Sequence, residues 1–305
     1  MPKAARRILI LGSHGQVGHE LAFELSDFGE VTALDRASAD LSESDALRTI
    51  VRHHRPDVIV NAAAYSAVDK AESEPELAHA VNATAPGVLA DEAQSSGACL
   101  VHYSSDYVFD GQKKDPYGEE DPTGPLSVYG RSKLAGEVAV ARVCQRHVIF
   151  RTSWVFGAHG SNFLKTILRL ATERESLRVV ADQFGAPTSA RLIAKITRRF
   201  LEQMLSTGEH NLRWGLYHLA PTGETSWHGY ARHVIARGRQ IGIPLVALPD
   251  LVAPIATAEY PVAARRPANS RLNTSKLRSA LGMDLPDWKR DVDQVIHELN
   301  SSRTR

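Results

Sequence analysis

Short apolar runs without strict alternation recur along the first half of the chain, at residues 8–11, 31–34, 58–60, 100–103 and 148–150. Strands buried on both faces of a parallel sheet read this way, because neither face meets water. Between these runs the apolar positions fall at helical spacing. Val17, Leu21, Ala22 and Leu25 form one stripe, which Gly29 ends. Residues 47–54 read as the next helix, closed off by Pro56. Residues 78–96 are rich in helix formers and stop at Gly97, and residues 129–143 also read as helical. Strands alternating with helices predict βαβ units and a doubly wound parallel sheet of the α/β class.

Past Trp154 the rhythm changes. Helices are predicted at 163–171 and 192–205, and Pro244, Pro249, Pro254, Pro261 and Pro267 signal loops and short elements. A chain of 305 residues is long for one core, since cores tend to split beyond ~250–300 residues. The expectation is a domain at 1–155 and a smaller C-terminal lobe at 156–305, partly interleaved with it and lending strands to its sheet.

Gly12-Ser13-His14-Gly15-Gln16-Val17-Gly18 joins the first strand to the first helix. Glycines there let the backbone turn tightly and approach a pyrophosphate, and the helix N-terminus offers free N–H groups to it. The spacing is G-x-x-G-x-x-G rather than G-x-G-x-x-G. This makes the first domain a Rossmann-type NAD(P)-binding domain. Asp35 ends the second strand near the ~20-residue spacing of an acid that bonds a ribose 2′-hydroxyl, which favours NAD. Arg36 follows at once and suits a 2′-phosphate, so NADPH and NADH both remain open. After the third strand, Asn61-Ala62-Ala63-Ala64-Tyr65 brings small residues to the place where a nicotinamide ribose would lie.

The chemistry concentrates on two segments. Tyr129 and Lys133 are four apart on a helix and so share a face. A cation beside a phenol favours the phenolate and should lower its pKa from ~10. Such a phenol can exchange a proton with a substrate oxygen. Ser104-Ser105-Asp106-Tyr107 begins where the fourth strand ends, on the side where parallel sheets bind ligands, and a serine hydroxyl there can bond a carbonyl. Trp154 follows the fifth strand and is placed to wall a substrate pocket.

Other chemistries find no support. Lys+Arg is 36 and Asp+Glu is 35, a balance that argues against a nucleic-acid groove or a polybasic membrane surface. There is no C-x-x-C, no H-x-x-x-H pair with a carboxylate between its histidines and no G-x-S-x-G elbow. The apolar run after Arg6-Arg7 is too short for a secretory core of about 7–15 residues, so a cytoplasmic, non-membrane protein is expected. Cys99 and Cys144 lie in apolar stretches and read as buried thiols, with no sequence support for a disulfide.

The motif set G-x-x-G-x-x-G, N-A-A-A and Ser with Tyr-x-x-x-Lys resembles the extended short-chain dehydrogenase/reductase superfamily. Longer segments narrow the likeness to the dTDP-4-dehydrorhamnose reductases. They include Gly15-Gln16-Val17-Gly18, Ala67-Val68-Asp69-Lys70-Ala71-Glu72, Ser105-Asp106-Tyr107-Val108-Phe109-Asp110-Gly111 and Arg151-Thr152-Ser153-Trp154. Asp182-Gln183-Phe184-Gly185-Ala186-Pro187-Thr188 and Arg266-Pro267-Ala268-Asn269-Ser270-Arg271-Leu272 extend it through the second half. The resemblance implies reduction of the C4 ketone of dTDP-4-dehydro-β-L-rhamnose, the last step of dTDP-rhamnose biosynthesis for bacterial surface polysaccharide. It implies Tyr129 as proton donor, Lys133 tuning it and holding the ribose, and Ser105 polarising the ketone where the family more often has threonine. Gly12, Gly15, Gln16, Val17, Gly18, Asp35, Arg36, Asp40, Leu41, Ala62, Ala63, Ala64, Tyr65 and Ser66 would line the cofactor. Asp106, Tyr107 and Trp154 would face the sugar nucleotide, and Arg266, Asn269 and Arg271 are candidates for its diphosphate. Some members form dimers bridged by Mg²⁺ through two glutamates. Glu298 matches one, but the other falls at Arg191, a cation that cannot ligate a metal, so no metal ligand is assigned. The chain is expected to act as a monomer or homodimer. Another nucleotide-sugar reductase or epimerase, or a non-catalytic NADP-binding regulatory subunit, is the competing reading; only a catalyst needs the hydroxyl, phenol and ammonium together.

Overall fold

The computed structural model describes residues 6–206 and 212–303. Its first half alternates as the apolar pattern predicts. The order is β1 (Arg7–Leu11), α1 (Gln16–Glu24), β2 (Glu30–Leu34), α2 (Ser44–His54) and β3 (Val58–Asn61). Two short helices follow, α3 (Val68–Ala71) and α4 (Pro75–His79), then α5 (Ala85–Ser96), β4 (Cys99–Ser105), α6 (Val128–Val143) and β5 (His147–Thr152).

One predicted helix is interrupted. Residues 78–96 do not form a single α-helix, because Ala80–Thr84 is a π-helical turn between α4 and α5. Pro86 supplies the reason: it has no N–H to donate to the carbonyl of Asn82 four residues back, so the ladder shifts there.

The second half builds β6 (Val155–Phe156), α7 (Phe163–Glu173), β7 (Leu177–Val180), β8 (Phe184–Gly185), β9 (Thr188–Ser189) and α8 (Ala190–Met204). It ends with β10 (Gly215–His218), β11 (Thr225–Ser226), α9 (Trp227–Gln240), β12 (Val252–Ile255), α10 (Ser275–Leu281) and α11 (Trp288–Arg303). The main sheet runs β10-β5-β4-β3-β1-β2, and each of its pairings is parallel. The chain passes from β2 across β1 to β3, so the order reverses beside the end of β1. A crevice opens outside the carboxyl ends of the strands at such a point.

Two cores cover the sheet. Ile8, Ile10, Val101 and Phe150 pack with Leu21 of α1 and Ile193, Ile196 and Phe200 of α8. Leu9, Leu11, Ile59 and Leu100 pack on the opposite face with Leu47, Leu89 and Val140. The second half therefore returns a strand and a helix to the first. A third core lies apart from the sheet, where Leu164, Ile167 and Leu168 of α7 meet Tyr230 and Val234 of α9 and Trp288 and Val292 of α11. Apolar residues at i, i+3 and i+4 give α7 its buried stripe, and Asn162 caps it by accepting the Lys165 N–H. Both cysteines are buried and unbridged. No described helix is long and apolar enough to cross a membrane.

Candidate active site

A cleft of about 760 Å³ opens above the carboxyl ends of β1, β3 and β4. That volume falls in the range of small-molecule sites. Gly12, Gly15, Gln16 and Val17 line one end. Gly12 has a φ of +83°, and a Cβ there would come within 2.7 Å of the Ala63 nitrogen. A bare Cα is what lets the turn lie against the segment after β3. No side chain caps α1 at Gly15, so the N–H groups of its first turn are available to an anion. These features fit a dinucleotide pyrophosphate.

Gly18 does not line the cleft. A Cβ on it would meet the Gly12 carbonyl oxygen at 2.1 Å, so its smallness serves the packing of α1 onto the turn. Asp35 is also outside the lining. Its Oδ1 accepts the Ser38 N–H at 2.9 Å and its Oδ2 lies 3.3 Å from His14 Nδ1. The Ser38 hydrogen bonds hold this carboxyl below its ordinary range. The acid is thus engaged by its own loop, while Arg36, Asp40, Leu41 and His14 border the cleft. Arg36 Nε donates to Asp40 Oδ2 at 3.2 Å. Ala62, Ala63, Ala64, Tyr65 and Ser66 continue the wall.

Ser105, Asp106, Tyr107, Tyr129 and Lys133 meet at the centre. Ser127 starts α6 by accepting the Gly130 N–H, which sets the helix so that Tyr129 and Lys133 reach the cleft. Lys133 is buried and its Nζ donates to the Tyr103 carbonyl at 2.5 Å. Burial pulls its pKa down to about 8, with Glu137 opposing. The expectation that the ammonium lowers the pKa of Tyr129 is not met. Burial raises the phenol well above its ordinary value, and only the neighbouring Ser105 hydroxyl works against that rise. The Tyr129 phenol is therefore held neutral, as a proton donor must be. Ser105 Oγ donates to Asp106 Oδ1 at 3.0 Å and accepts the Tyr107 N–H at 3.2 Å. Burial lifts the Asp106 carboxyl to about 6.

The far wall comes from the second half. Trp154 has a φ of +48°, unusual for a bulky residue. It is held by stacking on Trp227 at 3.7 Å between ring centroids and by Gly185, where a Cβ would meet its ring at 2.8 Å. Arg266 also borders the cleft; its guanidinium donates to Asp69 Oδ2 at 2.6 Å and to the Tyr107 hydroxyl at 3.0 Å. Asn269 and Arg271 do not. Asn269 bonds the carbonyls of Lys113 and Asp115, and Arg271 bonds Glu224, so both brace loops. Trp227, Thr152, Ser161 and His14 border the cleft and were not read from the sequence. Trp227 had no local signal, because only tertiary packing carries it to Trp154.

Arg191 Nη2 donates to Glu298 Oε2 at 2.8 Å, and its Nε lies 3.5 Å from Glu20. A guanidinium therefore occupies the position that the family resemblance gives to a metal-ligating glutamate. Among the described residues no group of three or more His, Cys, Asp or Glu could hold a metal ion.

Comparison with known proteins matches this architecture. The family model described as RmlD substrate binding domain covers residues 6–301. A dTDP-4-dehydrorhamnose reductase of Burkholderia thailandensis is 48% identical over 296 residues, spanning 97% of this chain and 99% of its own. One from Escherichia coli K12 is 49% identical over 296 residues, spanning 96% and 97%. The crystal structure of dTDP-4-dehydrorhamnose reductase from Bacillus anthracis in complex with NADP aligns with a TM-score of 0.88 at 33% identity, covering 96% of this chain and 99% of that one. The chain belongs to the dTDP-4-dehydrorhamnose reductase family.

Proposed function

We propose that this protein reduces the C4 ketone of dTDP-4-dehydro-β-L-rhamnose to dTDP-β-L-rhamnose, using NADPH or NADH. The observation that carries the reading is the meeting of Ser105, Tyr129 and Lys133 in one cleft with the glycine turn, in a chain of this family. Residues 1–155 would mainly hold the dinucleotide and 156–305 mainly the sugar nucleotide, in a cytoplasmic monomer or homodimer.

A reduced nicotinamide bound along the cleft supplies the hydride. The chain's residues manage the ketone oxygen. The neutral Tyr129 phenol donates a proton to the alkoxide that develops there. The Ser105 hydrogen, turned from Asp106 by rotation about the Cβ–Oγ bond, stabilises the same oxygen. Groups matched to that charge lower the barrier because they bind the transition state better than the ketone. Lys133 uses one donor on Tyr103, leaving two for ribose hydroxyls. Trp154 and Trp227 form an apolar wall for the sugar, and Arg266 offers its guanidinium to the diphosphate.

The test is product analysis. Purified protein with NADPH and dTDP-4-dehydrorhamnose should yield dTDP-L-rhamnose by nuclear magnetic resonance. A wild-type protein that leaves this sugar untouched while reducing another nucleotide-sugar ketone would reassign the substrate.

The Lys133 ammonium gives a further expected result. Its charge is present below about 8 and lost above it, so NADPH affinity should fall as pH rises through that value. Fluorescence titration across pH checks this. Lys133→Met should bind more weakly at neutral pH and show no such step; a step that persists in the variant would assign it to another group.

A further inference from the structure

The loop at 157–162, between β6 and α7, belongs to the second half of the chain yet rests on the first turn of α1. The His159 and His19 rings lie 3.5 Å apart between centroids. A Cβ on Gly160 would come within 3.1 Å of Gln16 Cγ. Lys165 braces the loop from α7, its Nζ donating to the carbonyls of Ala158 at 3.1 Å and Gly160 at 2.7 Å. At the end of the loop, Asn162 Oδ1 accepts the Lys165 N–H at 3.0 Å. Its Nδ2 donates to the Gly157 carbonyl and to Gln16 Oε1, both at 2.8 Å.

These partners fix the orientation of two amides in turn. A backbone N–H only donates and a backbone carbonyl only accepts. Lys165 and Gly157 therefore decide which end of the Asn162 amide is oxygen and which is nitrogen. That nitrogen faces Gln16, and of the two ends of the Gln16 amide only the oxygen can accept from it. With its oxygen turned to Asn162, Gln16 turns its two N–H donors the other way. Gln16 borders the cleft, at the uncapped N-terminus of α1.

We propose that Asn162 is a positioning residue that sets the polarity of the Gln16 amide, so that its donors and not its carbonyl meet the dinucleotide diphosphate. A donor there makes a charge-assisted hydrogen bond, whereas a carbonyl oxygen would repel the anion. The second half of the chain thereby takes part in dinucleotide binding, through a residue that does not itself border the cleft. The proposal rests only on the dinucleotide-binding part of the reductase reading.

A double-mutant cycle tests it, with NADPH affinity read by fluorescence titration without sugar. Asn162→Ser keeps an oxygen to cap α7 and drops the donor to Gln16. It leaves the Gln16 amide free to turn and should weaken NADPH binding about threefold. Asn162→Asp also keeps the cap, but its second oxygen takes the Gln16 N–H and turns the Gln16 carbonyl to the cleft. It should weaken NADPH binding about tenfold, the scale of one lost hydrogen bond to a charged group. Gln16→Met has no amide to orient. In that background both Asn162 changes should shift NADPH affinity by less than about twofold.

An Asn162 effect of undiminished size in Gln16→Met would overturn the proposal, because loop support or charge repulsion would then account for it. Wild-type NADPH affinity in both single variants would overturn it too. If Asn162→Asp fails to fold, the cycle with Asn162→Ser decides. Wild-type protein that binds NADPH but reduces no sugar ketone ends the reductase reading and leaves the cycle to decide this proposal. Wild-type protein that binds neither NADPH nor NADH overturns both.

Discussion

Tyr129→Phe is expected to lower turnover of the ketone by about two to four orders of magnitude, the usual contribution of a positioned general acid. At the centre of the cleft, burial holds this phenol in its proton-bearing form. Ser105 can stabilise charge on the oxygen, but its proton is not one it can give up near neutrality. The ring itself remains in Tyr129→Phe. It still packs edge-on to Tyr107, at 5.5 Å between centroids, so the fold and the NADPH affinity should be retained. Steady-state kinetics with fluorescence titration as the control check this. Turnover within a few-fold of wild type would take Tyr129 out of the proton path.

Arg151→Met is expected to cost about 3–5 kcal/mol of stability, since it leaves the partner carboxylate charged and buried. Arg151 Nε and Nη2 bond the two oxygens of Glu137 at 2.9 and 2.6 Å, and the side chains are 5% and 7% exposed. This pair locks the end of β5 to α6 one turn after Lys133. Urea unfolding measures the loss. The double replacement Arg151→Met with Glu137→Gln should recover part of it, because no charge is then stranded. A single variant as stable as wild type would show that the pair contributes nothing net. The same change should also leave Lys133 without the carboxylate that raises its pKa, if Glu137 is neutralised as well.

Much of this was legible in the sequence because it depends on short-range pattern. Continuous apolar runs announced the buried parallel strands, and the glycine turn after residues 8–11 announced where the crevice would open. Tyr129 and Lys133 share a face by helix geometry alone, so their meeting needed no tertiary information. Ser105 followed from its place at a strand end.

What the sequence did not yield depends on packing. Gly18 looked like a phosphate contact and instead allows α1 to rest on Gly12. Asp35 sat at the spacing of a ribose ligand, but the Ser38 N–H captured it. Asn269 and Arg271 were sensible anion ligands by type, yet they brace loops, and only Arg266 reaches the cleft. The phenol's pKa was misjudged in sign because a neighbouring charge is visible in a motif and burial is not. The Trp154–Trp227 wall joins residues far apart in the chain, and the π-helical turn at Ala80–Thr84 followed from one proline inside a run of good helix formers.

The central claim is that Tyr129 protonates a sugar ketone while a reduced nicotinamide supplies the hydride. The most direct test follows the near-ultraviolet absorbance of NADPH, with dTDP-4-dehydrorhamnose added to wild type and to Tyr129→Phe side by side. The account predicts that wild type consumes NADPH only when this sugar is present, and that Tyr129→Phe binds NADPH equally well but consumes it at least ~100-fold more slowly. Wild-type protein that binds NADPH and leaves it unoxidised in the presence of the sugar would contradict it.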